Sequence, residues 1–183
     1  MDVLDRLQLP LARTAEDQRP VVVMTCGIAG SGKSTLSKAI LAKHPNFTRL
    51  SIDCIVYDKH GLYAVDYPPE LYSVYQEEAD VEYMSNLKTL LGEARDVVVD
   101  RALYSREDRK NFKKLVEEMG GRWILVFFRP ASKDVIWSRI EQRQRGPLNA
   151  DSAFEMTNDI LDRYWEGFEW PDGEGEVVVD VVE

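Results

Sequence analysis

Short apolar runs punctuate the chain, and amphipathic stretches fill the intervals between them. Val21-Val22-Val23-Met24-Thr25-Cys26 is β-branched and does not alternate, which predicts a strand buried on both faces. Phe47–Ile52 predicts a second strand ending at Asp53, Asp96–Asp100 a third, Arg122–Phe128 a fourth and Glu176–Val182 a fifth. Between them Leu36, Ala39 and Ile40 recur at helical spacing. Pro68-Pro69 opens a long helical pattern through Leu71, Val74, Tyr75, Met84, Leu87, Leu90 and Leu91. Ser105 with Asp108 predicts a capped helix start, and Phe112, Leu115, Val116 and Met119 follow until Gly120-Gly121 stops the helix. Ser132 predicts the cap of a helix carrying Val135, Ile136 and Ile140, interrupted by the charged loop Arg143-Gln144-Arg145-Gly146-Pro147. Ser152 and Glu155 predict a further capping box, opening a helix to about Tyr164.

Alternation of strand and helix predicts an α/β three-layer sandwich with a parallel five-stranded sheet. Residues 1–20 are expected to form an N-terminal extension, with Leu4, Leu7, Leu9 and Leu11 available for packing, and 21–183 a single domain. The tyrosine- and aspartate-rich stretch 54–68 is expected to be irregular, and no segment repeats.

The first strand runs into Gly27-Ile28-Ala29-Gly30-Ser31-Gly32-Lys33-Ser34, a complete G-x-x-x-x-G-K-[ST] phosphate-binding loop. Its glycines let successive backbone N–H groups point at an anion, and the following helix presents its positive end to the same site. Gly27, Ala29, Gly30, Ser31, Gly32, Lys33, Ser34 and Thr35 are therefore the candidate ATP contacts, with Lys33 on the outer phosphates and the Ser34 hydroxyl on Mg²⁺. Composition narrows the partners. No apolar run of the 183 residues approaches a membrane span, and the acidic start does not resemble a secretory signal, so a cytoplasmic address is expected. Cys26 and Cys54 are expected to be buried free thiols. The net charge of −9 disfavours a grip on long nucleic acid, whereas one nucleotide needs only the loop.

In such a sheet ligands bind beyond the carboxyl ends of the strands, which brings forward Asp53 and Asp100. Asp100 follows three valines in the form of a Mg²⁺-holding Walker-B acid; capping of the next turn is the structural alternative. Asp53 is placed to accept a proton from an attacking hydroxyl, with a turn or N-cap acid as its alternative. Arg139, Arg143 and Arg145 form a basic cluster between two helices, from which a mobile segment would fold arginines onto a transferring phosphoryl group. Arg143 is the first choice and Arg145 the reserve contact to ATP; a solvated basic helix end is the alternative. His44 reads as a helix-end residue, and His60 as a loop residue beside the substrate region.

On these residues the chain resembles the small P-loop kinases of the AAA_33 group, relatives of polynucleotide 5′-kinase domains, gluconate kinase and zeta-toxin-like kinases. The resemblance runs from about Val21 to Tyr164 and rests on the phosphate loop, Leu50-Ser51-Ile52-Asp53, Val97-Val98-Val99-Asp100 with Arg109 nine residues on, and Arg139 with Arg143. It implies a nucleoside-kinase-like P-loop fold with a small lid at about 141–151, Mg·ATP as donor, Asp53 as general base and Arg143 on the ATP phosphates. Asp53, Tyr57, Asp100 and Arg101 are then the expected acceptor-side residues.

The chain departs from the polynucleotide kinases in one respect: they carry an arginine three residues after the base, and here Val56 stands there. Eight acids against the single lysine Lys59 lie between Asp53 and Glu82, and six of the eight tyrosines lie between Tyr57 and Tyr83. That composition suits a neutral or cationic acceptor better than a phosphodiester. The expected function is ATP-dependent phosphorylation of a small-molecule hydroxyl. The alternatives are a polynucleotide 5′-hydroxyl kinase and an ATP-binding regulator without transfer. The acceptor's identity and the oligomeric state are left open by the sequence.

Overall fold

The computed structural model describes Leu4 and residues 11–151 and 155–182. Five parallel strands, β1 (Val21–Cys26), β2 (Phe47–Leu50), β3 (Asp96–Val99), β4 (Arg122–Pro130) and β5 (Val177–Val181), form one sheet in the order β2-β3-β1-β4-β5. All six residues of β1 and all four of β3 are buried, so their unbroken apolar runs reflect cover on both faces. Helices α1 (Lys33–Lys43), α2 (Ile52–His60), α3 (Tyr72–Gly92), α4 (Arg106–Glu118), α5 (Lys133–Gln144) and α6 (Asn158–Gly167) provide that cover, with a short 3₁₀ turn at Pro69–Leu71 before α3. The chain leaves β1 toward β2 but leaves β3 the opposite way, toward β4, so a crevice opens at the carboxyl ends of β1 and β3.

At the opposite edge Asp96 is buried and fully engaged. Its carboxylate accepts from Val21 N (2.8 Å), Asn46 Nδ2 (2.6 Å) and Arg13 Nη2 (2.7 Å). These bonds satisfy a charge that burial would otherwise penalise, and they tie Arg13 to the sheet. Leu4 and Leu11 lie in the main core, whereas Leu7 and Leu9 fall outside the described residues.

Local chemistry moved several boundaries. β2 stops at Leu50, because the Ser51 hydroxyl accepts from Cys54 N and starts α2. Asp53 therefore sits in a first helical turn instead of ending a strand, and 54–60 is helical where an irregular segment over 54–68 was expected. Helix α5 continues to Gln144, so Arg143 belongs to its last turn and not to a loop. Helix α6 begins at Asn158, capped by Thr157 accepting from Ile160 N; the expected capping box at 152–155 lies largely outside the described residues. Ser105 and Ser132 cap α4 and α5 as expected. Cys26 and Cys54 are free thiols, the first buried and the second half-buried. Among the described residues no helix is long and apolar enough to cross a membrane.

Candidate active site

The loop between β1 and α1 is shaped by three glycines at positive φ: Gly27 (152°), Gly30 (81°) and Gly32 (108°). Two of them are also sterically required. A Cβ on Gly27 would lie 2.8 Å from Ser31 Oγ, and one on Gly30 the same distance from Ile140 Cγ1 of α5. The loop is thus packed directly against the helix that carries the candidate lid arginines. Lys33 Nζ donates to the carbonyl of Ile28 (2.8 Å) across the loop, and burial lowers its pKa to about 8. Ser31 Oγ is buried without a hydrogen-bond partner. An orphaned hydroxyl, a lysine bonded only to its own loop and a backbone that tolerates no Cβ fit an anion cradle.

A cleft of about 1080 Å³ opens beside this loop. Ala29, Gly30, Gly32, Lys33, Ser34, Thr35, Asp53, Tyr57, Asp100, Arg101, Arg139 and Arg143 all line it. Gly27 and Ser31 shape the loop from behind and do not line the cleft. Arg145 is an exposed residue just past α5 and does not reach it.

Asp53 is exposed on the cleft side and partly desolvated by the surrounding protein. That partial desolvation, with the negative charges of Asp151 and Asp100, raises its pKa to about 6 against the pull of Lys33 and Arg49. Arg143 has an Nε that is buried without a partner, and burial lowers its pKa while Asp53 and Asp151 pull it up. Arg101 pairs with Asp80 and lies over the rings of Tyr83 and Phe112.

Three contributors escaped the sequence reading. Arg49, on β2, reaches Asp100 Oδ2 through Nη2 (2.6 Å) and Asp151 Oδ1 (2.5 Å), and Lys38 of α1 meets Asp151 Oδ2 (2.6 Å). The available signal was an arginine inside a very short strand of a sheet covered on both faces. The pairing with Asp151, 102 residues away, had none. Arg109, which the resemblance places with Asp100, is structural. It is fully buried, donates to the Leu103 carbonyl (3.0 Å) and holds Glu174 through Nε (2.8 Å) and Nη2 (2.7 Å). His60 ends α2, stacked on Tyr75 and outside the cleft lining.

A parallel sheet in this order, with a phosphate loop after its central strand, defines a P-loop kinase-like protein. The chain belongs to the AAA_33 family, whose model, described as an AAA domain, matches residues 22–171. No curated protein matches the sequence. Among solved structures it is similar to a Chloroflexus aurantiacus protein assigned only provisionally as a kinase. That pair is 20% identical over 90% of this chain and 86% of the other, with a TM-score of 0.66. A gluconokinase from Sinorhizobium meliloti 1021 is 25% identical over 90% and 83%, with a TM-score of 0.54. Kti12 from Chaetomium thermophilum, solved with ADP-AlF₃, is 14% identical over 88% of each chain, with a TM-score of 0.63.

Proposed function

We propose that the protein transfers the γ-phosphoryl group of Mg·ATP to a hydroxyl of a small molecule. The observation that carries this reading is the placement of Asp53: it shares one cleft with the phosphate loop and with Arg139 and Arg143. A nucleotide-binding regulator has no need of a carboxyl base there, whereas phosphoryl transfer to an alcohol does.

Lys33 and the loop amides would hold the phosphates, and Ser34 with Asp100 would hold Mg²⁺. Among the described residues no group of three or more His, Cys, Asp and Glu side chains forms a metal cage. When bound, Mg·ATP supplies the phosphoryl group and spreads its charge over metal and loop. Asp53 accepts the proton of the acceptor hydroxyl, and its raised pKa strengthens it as a base. Arg139 and Arg143, on the same cleft, would neutralise charge on the transferring group. Arg49 holds the Asp100 carboxylate in place.

Incubation with γ-labelled ATP, small alcohols and a 5′-hydroxyl oligonucleotide tests the reading. Label should reach a small acceptor and depend on Asp53. Robust oligonucleotide labelling would overturn the small-molecule reading, and tight nucleotide binding without any transfer would overturn the kinase.

A further inference from the structure

The two halves of the cleft differ in charge. The loop half carries Lys33, Arg139 and Arg143, suited to the phosphates. The half beyond Asp53 is walled by Glu77 and Asp80 of α3 and by tyrosine rings. Arg101 is the basic side chain on that wall, and it is already committed to Asp80 and to the faces of Tyr83 and Phe112, 5.5 Å from each centroid. Lys59 pairs with Glu78 (3.0 Å) and Glu82 (2.5 Å), and neither Lys59 nor His60 lines the cleft. Glu77 is exposed to the cleft, and no described cation pairs with it.

The aromatic wall points the same way. The Tyr63 ring meets Tyr67 at 6.1 Å and 82°, and Tyr72 at 5.1 Å and 77°, so ring faces stand nearly at right angles to one another. Such edge-to-face packing is the usual arrangement of aromatic rings, but these rings line the same cleft as Glu77, and tyrosine beside an unpaired carboxylate suits a positive centre. Val56, buried against Tyr67 and Ala79, supplies no charge for an anionic acceptor.

We propose that the acceptor is a cationic alcohol, a hydroxylated amine or quaternary ammonium. Its positive centre lies against Glu77 and the Tyr63–Tyr67–Tyr72 rings, and its hydroxyl faces Asp53. This rests on the kinase reading above. The acceptor oxygen forms the new bond to phosphorus as the bond from phosphorus to the β,γ-bridging oxygen breaks. The hydroxyl proton passes to Asp53, and ADP leaves.

The full chain with Mg·[γ-³²P]ATP tests this on matched acceptors: choline against its uncharged isostere 3,3-dimethyl-1-butanol, and glucosamine against glucose and gluconate. In at least one set the cationic member should show a kcat/KM about tenfold above its uncharged partner. Glu77→Gln should bring that ratio toward one by raising KM for the cation. Equal or better transfer to the uncharged or anionic partners would overturn the cationic class and leave the kinase reading intact. A preference that survives Glu77→Gln would overturn the assignment of this wall. Failure of transfer to every acceptor, with ADP binding retained by calorimetry, would overturn both readings.

Discussion

Arg49 and Asp100 are joined through a single oxygen: Nε and Nη2 lie 2.8 and 2.6 Å from Asp100 Oδ2. The two side chains are only 11% and 3% exposed, and the same Nη2 also reaches Asp151. One guanidinium thus neutralises a strand-end acid and an acid from the segment after α5. Arg49→Met should strand Asp100, while Asp151 keeps Lys38, and cost about 3–5 kcal/mol, the usual loss when one partner of a buried pair is removed. Urea denaturation should show a lower midpoint at an unchanged m-value. A stability within ~0.5 kcal/mol of the parent would show that the clamp is dispensable.

Asp53 must be ionised to accept a proton, and its folded pKa of about 6 stands above the ordinary 3.8. Turnover should therefore fall as pH drops through about 6. Asp53→Asn should lose about 10²–10⁴-fold in kcat together with that acidic limb. A raised carboxyl pKa also means that the fold loses relative stability as pH rises from about 4 through 6. The Asn variant should accordingly melt higher than the parent at pH 7. Steady-state pH profiles and thermal melts of both proteins check the pair of effects.

Lys33 titrates near 8, depressed from 10.5 by burial. Phosphates placed against it favour the charged form, so nucleotide binding above pH 8 should take up a proton, and affinity should weaken as pH rises. Calorimetry in two buffers of different ionisation enthalpy would measure the uptake. Lys33→Met should abolish it.

Arg109 serves the fold and not the chemistry. Arg109→Met removes the hydrogen bonds to Glu174 and to the Leu103 carbonyl, leaving the Glu174 carboxylate only the longer contacts to Arg106 (3.4 Å) and Lys113 (3.8 Å), and should cost about 3–5 kcal/mol in denaturant melts. ADP affinity, measured below the melting temperature, should stay within about threefold of the parent, because Arg109 does not line the cleft.

Much of the candidate site was legible in the chain because its signals are local. The glycine spacing from Gly27 to Gly32 encodes positive φ angles, and the valines of β1 and β3 encode burial on both faces. Asp53 was legible as a candidate base but not in its setting. A single hydroxyl, Ser51, converts the end of a strand into a helix N-terminus, and apolar periodicity does not register a cap. Arg143 lies in a helix where a loop was expected for a related reason: Gly146-Pro147 signals a stop, but the helix runs on to Gln144, two residues before that glycine.

The sequence by itself determined the parallel sheet, the phosphate loop and the acidic, tyrosine-rich character of the segment after β2, since each follows from neighbouring residues. The tertiary structure alone decided which distant charges meet. Arg49 joins Asp100 and Asp151, Arg109 leaves the chemistry for Glu174, and Arg145 stays outside the cleft that Arg143 enters. Pairings across such separations depend on where the crossovers carry each helix, and no local propensity records that.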